Sequence, residues 1–180
     1  MTTVEQLGDI LDIEVFSDIQ DGYPKYLDEG GSGRVYSLSD SLVIKVPSAF
    51  VYSIVADLRS HPSPYYIENN LRRLIYEFEI QKRLHEEGFP VPKPEGVFNC
   101  SIPTACSGWL IPGMIMERLY GINGRYIQDD DKRIKNRYKA EIKKAKDLGF
   151  STGDIGSHNC MYSEELDKLW LIDFGLWSKR

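Results

Sequence analysis

Thr152-Gly-Asp-Ile-Gly-Ser-His-Asn-Cys-Met-Tyr162, continued at Leu169-Trp-Leu-Ile-Asp-Phe-Gly175, is the stretch that decides the fold. The apolar pair Met161-Tyr162 is followed by a polar turn from Ser163 to Lys168 and a second apolar run, Leu169 to Ile172, so the segment reads as a β-hairpin. Its polar residues stand at the ends. Asp154 falls in the loop entering the hairpin, Asn159 just before the first strand and Asp173 just past the second. That spacing gathers three oxygen-bearing side chains, which suits a hard divalent cation and a hydroxyl to be deprotonated. By itself the segment also reads as a surface hairpin whose Asp and Asn residues only make turns.

The chain around it has 180 residues, 42% of them hydrophobic, enough for one domain or two small lobes with real cores. A net charge of -5 argues against a surface wholly committed to nucleic acid or anionic membrane, while leaving room for a local basic patch. Cys100, Cys106 and Cys160 are odd in number and lack paired metal spacing, which fits a reducing compartment. No run is apolar enough for a membrane span, and Met1 to Glu5 is too polar for a signal peptide. The cytoplasm is the expected location.

Upstream, Val4, Leu7, Ile10, Leu11 and Ile13 predict an N-terminal helix covering a sheet edge. Tyr26 to Tyr36 places Gly30, Gly31, Ser32 and Gly33 between two short strand candidates, ahead of the strand Leu42 to Val46. Glycines let backbone N–H groups approach an anion closely, although the loop alone also reads as an ordinary hairpin. Lys45 lies in an otherwise apolar strand, where an amine is costly unless it meets a charge. As a lone feature it also fits a strand-edge lysine.

Between Val46 and Asn70, Phe50, Val51, Ile54, Val55 and Leu58 suggest a short helix, and His61 to Pro64 a loop. Leu71, Leu74, Ile75, Phe78 and Leu84 mark a helix ending at Gly88. Glu77 sits near its apolar face and wants a cation, for which Lys45 is a candidate; a plain surface charge is the alternative. Strands are expected at Gly96 to Asn99 and within Trp109 to Glu117, where Pro112 and Gly113 make the later part, Met114 to Glu117, the better strand. Asp129 to Asp147 predicts an amphipathic helix with Ile134, Tyr138, Ile142 and Ala145 on one face. Its basic residues, Lys132, Arg133, Lys135, Arg137, Lys139, Lys143, Lys144 and Lys146, face RNA, an acidic protein or water. Water is favoured, because no interleaved aromatics offer base stacking.

In this order the pieces resemble the eukaryotic-type protein kinase superfamily. Leu27 to Tyr36 looks like its glycine-rich loop, with Asp28 at the first glycine, Gly30 and Gly33 at the others and Val35 over adenine. Val43-Ile-Lys45 resembles the strand lysine motif, whose lysine pairs the α and β phosphates, and Glu77 its helix partner. Gly88-Phe-Pro-Val-Pro92 is similar to the small RIO-type atypical kinases. Met116-Glu117-Arg-Leu119 looks like gatekeeper and hinge, with the backbone of Glu117 and Leu119 holding adenine. Asp154 to Asn159 is similar to the catalytic loop, and Asp173-Phe-Gly175 to the metal-binding triplet. The match covers about residues 25 to 175.

The resemblance implies an α+β, bilobal kinase-like fold with an antiparallel N-lobe sheet and a reduced C-lobe: a single domain over 1–180, with the N-terminal extension and N-lobe in 1–117 and the C-lobe in 118–180. It implies ATP and Mg²⁺, with Asn159 and Asp173 on the metal, Asp154 orienting and deprotonating the acceptor, Lys45 and Glu77 completing the active arrangement, and Gly30, Gly31, Ser32, Gly33, Val35, Val43, Met116, Met161 and Ile172 around the nucleotide. The expected reaction is transfer of the γ-phosphate to a Ser or Thr hydroxyl, its own among them. Departures from the pattern matter. Thr152 stands where the family usually has histidine and Gly153 replaces the common arginine, as in RIO-like and small-molecule kinases. The sequence ends at Arg180, shortly after Gly175, without the usual activation segment or peptide-docking loop. A small-molecule kinase, a nucleotide-binding regulatory module and a partner-activated ATPase are the alternatives, with a protein substrate or activating partner expected, nucleic acid only weakly suggested by 132–146, and no membrane.

Overall fold

Leu42-Val-Ile-Lys-Val46 alternates nothing: Val43, Ile44, Lys45 and Val46 are all buried, which is the pattern of a strand covered on both faces. The structure, a computed structural model, describes residues 25–29, 33–47, 64–104, 107–127 and 131–179. The helices expected within 3–16 and 50–58, and Gly30, Gly31 and Ser32, lie outside the described residues. The chain divides into two units, Met1–Ile75 with Glu95–Met116, and Tyr76–Pro94 with Glu117–Arg180.

The first unit carries a five-stranded sheet in the order β1-β2-β3-β5-β4, with β1 Lys25–Glu29, β2 Arg34–Ser37, β3 Leu42–Val46, β4 Pro94–Thr104 and β5 Ser107–Glu117. The pairs β1/β2 and β2/β3 are antiparallel. Ser39 turns the chain between β2 and β3, its Oγ accepting the N–H groups of Ser41 and Leu42. The expected α+β class with an antiparallel sheet is observed. Strand β5 contains the whole candidate from Trp109 to Glu117 and runs unbroken through Pro112 and Gly113, both buried, so its earlier part is as much strand as Met114 to Glu117. Proline removes one ladder hydrogen bond. In a strand of 11 residues that loss does not end the pairing.

Helix α1, Pro64–Glu86, also begins earlier than its apolar periodicity, which starts at Leu71. Pro64 occupies the first helical position, where its missing N–H would have had no partner in any case. Leu74 of its first-unit half is buried. The second-unit half buries Glu77, Ile80, Gln81 and Leu84. It stops as expected at Gly88, whose φ of +76° suits a residue without Cβ. Gln81 Nε2 then donates to the Pro92 carbonyl at 2.8 Å, fixing the Phe-Pro-Val-Pro segment beside the helix.

The rest of the second unit is β6 Ile122–Asn123, a 3-10 turn at Gly124–Tyr126, α2 Lys132–Asp147, β7 Phe150–Ser151, a second 3-10 turn at Ser157–Asn159, β8 Cys160–Ser163, β9 Lys168–Leu171 and β10 Ser178–Lys179. The hairpin β8/β9 stands where the sequence placed it, with β6 added to β8. Asp131 caps α2 by accepting from the N–H groups of Arg133 and Ile134, which sets the start two to three residues past Asp129. Ile134, Tyr138, Ile142 and Ala145 are the buried face, as read from their spacing. They pack with Ile80, Leu84, Phe89, Leu169, Leu171, Phe174 and Trp177 in one core. Leu84 and Phe174 are wholly buried, each contributing about 1.5–3 kcal/mol by burial.

Two tethers orient the hairpin within this unit. At its open end the Leu171 N–H donates to the Pro90 carbonyl at 2.8 Å. At its turn end Asp167 receives Arg137 Nη2 at 2.8 Å, Arg137 Nη1 at 2.9 Å, Arg133 Nη1 at 3.3 Å and the Tyr162 hydroxyl at 2.6 Å. These donors hold the Asp167 carboxyl down to about 2, the Arg137 hydrogen bonds first and the Tyr162 bond next. Two of the eight basic residues of α2 are thereby committed to the fold.

Candidate functional site

Asp154, Asn159 and Asp173 meet at the open end of the hairpin through backbone bonds. The chain from Thr152 to Gly156 is irregular, and Ser157–Asn159 forms a 3-10 turn in which the Asn159 N–H donates to the Gly156 carbonyl at 3.0 Å. That turn buries Asn159 to 5% exposure and aims its Nδ2 at the Asp154 carbonyl, 2.9 Å away. Asn159 in turn accepts the Ile172 N–H at 3.0 Å through its own carbonyl, which sets Asp173 one residue beyond. Asp154 itself is exposed and carries its Oδ2 2.8 Å from His158 Nε2.

Asp173 adopts φ +61°, a left-handed conformation that aspartate tolerates better than most residues. The backbone after it is pinned. Phe174 is fully buried, stacked edge-on against Trp177 with ring centroids 5.2 Å apart, and its N–H donates to Glu77 Oε1 at 3.3 Å. Glu77, 4% exposed, thus stands beside the Asp-Phe-Gly triplet. Met161 and Ile172, both half-buried, lie on β8 and just past β9. Burial pushes the Cys160 thiol up to about 11, which leaves it a protonated, inert core group at neutral pH.

Of the residues assigned to the nucleotide, Gly33, Val35, Val43, Lys45 and Met116 belong to the first unit. Val35 pairs with Lys45 across β2/β3. A Cβ on Gly33 would stand 2.7 Å from the Val46 carbonyl and 3.2 Å from Lys45 Cγ, so only glycine lets the chain pass this close to the lysine stem. Lys45 is 6% exposed, and Met116 half-buried at the end of β5. Glu117 and Leu119 begin the second unit. The Glu117 N–H donates to the Lys93 carbonyl at 2.9 Å, and Glu117 Oε2 accepts from the Lys93 N–H at 3.0 Å. Leu119 is half-buried in the irregular segment that follows.

No family model matches the chain, and no curated protein matches its sequence. Solved structures do. The Rio2 kinase of Chaetomium thermophilum, in an ADP/Mg²⁺-phosphoaspartate complex, is similar with a TM-score of 0.61 and 19% identity over 86% of this chain and 48% of that one. WbdD is similar with a TM-score of 0.57 and 17% identity over 87% of this chain and 33% of its own. A second structure of WbdD, a bifunctional kinase-methyltransferase, gives 0.54 and 18%, over 83% and 30%. The fold is protein-kinase-like. The chain spans about half the length of the Rio2 kinase and about a third of WbdD.

Within this kinase-like fold the donor chemistry at the open end fits a magnesium nucleotide. Asp173 carries a carboxylate, and Asn159, whose Nδ2 donates to the Asp154 carbonyl, keeps Oδ1 as its oxygen donor. Two oxygen donors suit Mg²⁺, which keeps waters and takes the remaining positions from phosphates. Among the described residues no group of three or more His, Cys, Asp or Glu could hold a metal unaided. Sequence reasoning left His158 without a role, although it stands four residues after Asp154 in a tight turn. It also missed Asn123, whose Nδ2 donates to the His158 carbonyl at 3.2 Å. Neither has a motif, because both act through pairings across the turn and across β6/β8.

Proposed function

We propose that the chain is an ATP-dependent kinase that moves the γ-phosphoryl group of Mg²⁺-ATP to a Ser or Thr hydroxyl, its own included. The observation that carries this reading is the junction of Asp154, Asn159 and Ile172-Asp173 through the 2.9 Å and 3.0 Å bonds at the open end of the hairpin. The ADP/Mg²⁺ in the Rio2 complex supports it. In this reading Asn159 and Asp173 hold Mg²⁺, which neutralises charge on the phosphates. Lys45 takes the α and β phosphates with Glu77 as its partner. Gly30, Gly31, Ser32 and Gly33 offer N–H groups to the phosphates, while Val35, Val43, Met116, Met161 and Ile172 line adenine. The Glu117 N–H is already used by Lys93, so adenine meets the Glu117 carbonyl and the Leu119 N–H.

Asp154 Oδ1 accepts the acceptor's proton as the new oxygen–phosphorus bond forms. The γ-phosphorus–oxygen bond breaks, and ADP leaves with the electron pair. We further propose one domain, with the N-lobe ending near Glu117 and the C-lobe following it, working in the cytoplasm, where the free Cys160 stays reduced. No described helix is long and apolar enough to cross a membrane. The phosphoaspartate of the Rio2 complex favours a second reading, a partner-activated ATPase that passes phosphate through a carboxylate to water. Incubation with γ-labelled ATP, alone and with lysate, separates them. Label stable to acid on the chain or on another protein supports the kinase, whereas label lost to hydroxylamine, with inorganic phosphate released, supports the ATPase.

A further inference from the structure

We propose that His158 is a positioning residue for this transfer, holding one oxygen of Asp154 so that the other is presented to the acceptor. The inference rests on the phosphotransfer reading and adds to it a residue outside its machinery. An ionised carboxylate only accepts hydrogen bonds, so His158 Nε2 is the donor in its 2.8 Å contact with Asp154 Oδ2. Both side chains are about half exposed, at 46% and 51%, and a lone surface pair of this kind is worth little. This pair is not alone. The Asn123 Nδ2 holds the His158 carbonyl at 3.2 Å and Asn123 Oδ1 accepts the Arg125 N–H at 2.9 Å, so the anchor is itself fixed on β6.

Gly156 supplies the room. A Cβ there would collide with the His158 ring, so only glycine at this position lets the imidazole come this close to the backbone. The main chain of His158 is tied to β6, its ring rests on Gly156 and its Nε2 reaches Oδ2. With Oδ2 engaged, Asp154 Oδ1 is the oxygen to which a hydroxyl would bring its proton. Misplacement of a reacting group by about 1 Å costs up to roughly 100-fold in rate.

The test is steady-state Mg²⁺-ATP turnover, with water as acceptor, and self-labelling from γ-labelled ATP. Wild type is compared with His158→Ala and His158→Gln, each also placed in an Asp154→Asn background. His158→Ala is expected to lower kcat about 10- to 100-fold with KM for ATP within twofold. His158→Gln, whose Nε2 reaches a similar point, recovers most of kcat. In the Asp154→Asn background His158→Ala changes nothing further. Unchanged kcat in His158→Ala overturns the inference and leaves the kinase reading standing. So does an equal loss in both backgrounds, or a Gln variant no better than Ala when both melt at the wild-type temperature. Wild type without any ATP turnover or label overturns both.

Discussion

Two aspartates flank β9, Asp167 at its start and Asp173 just beyond its end, and both hold the left-handed backbone, with φ of 44° and 61°. Their surroundings differ. Asp167 is gripped by two guanidinium groups and a phenol, an arrangement that fixes α2 on the hairpin turn. Asp173 stands in the junction with Asn159, and the donor next to it, the Phe174 N–H, is taken by Glu77 rather than by Asp173. The same residue in the same conformation serves structure where protein cations surround it. At the junction with Asn159, in the proposed reading, it serves an external cation. Burial does not separate the two, since neither is a core group.

Breaking the Asp173 side of that comparison has the largest expected effect. Asp173→Asn keeps the tolerance for positive φ and removes the charge, so the chain folds while Mg²⁺-dependent ATP turnover falls about 10³-fold or more. A phosphate-release assay measures it, and turnover within tenfold of wild type contradicts the metal role. Asp154→Ala comes next. Transfer drops about 10²- to 10⁴-fold, as for loss of a general base, while the Kd for Mg²⁺-ATP stays within about threefold.

Glu77→Ala sharpens the comparison through stability. It leaves the buried Phe174 N–H without its acceptor at a cost of about 1–3 kcal/mol, read as a lower Tm, whereas Glu77→Gln, which keeps an oxygen at that point, loses less. Equal Tm for both variants and wild type would show that Glu77 does not hold the triplet.

The smallest effect belongs to Asp167. Its carboxyl titrates at about 2 in the folded chain against an ordinary value near 3.9, so the unfolded chain binds the extra proton between those two pH values. The stability Asp167 adds is complete above about pH 4 and is lost as pH falls toward 2. Asp167→Asn should therefore shift Tm modestly at pH 7, flatten the acid limb of the Tm–pH curve and leave ATP turnover unchanged. A large loss of turnover in this variant would erase the distinction between the two aspartates.

Much of this was legible in the sequence because local pattern and tertiary fate agree. The buried stripe of α2 follows from its spacing, and the hairpin from two apolar runs around a polar turn. The candidate site was read at the ends of the hairpin because Asp and Asn there stand outside its two apolar runs. What could not be read depends on pairing over distance. The Asp167 grip joins residues up to 34 apart in sequence, and no motif links Arg133 to a turn aspartate. Glu77 was singled out by its place on α1, but its bond to Phe174 spans 97 residues. Pro112 weakened the reading of the first half of β5 for the opposite reason, since a local rule against proline in strands yields where ten neighbours hold the strand together.

The central claim is that the open end of the hairpin holds a metal nucleotide, and calorimetric titration of ATP with and without Mg²⁺ tests it most directly. Wild type and Asp154→Ala are expected to bind Mg²⁺-ATP with similar Kd values and to lose at least tenfold in affinity when the metal is chelated, while Asp173→Asn shows the weak affinity under both conditions. Binding that is indifferent to Mg²⁺ in all three proteins, or no binding to wild type, would contradict the account.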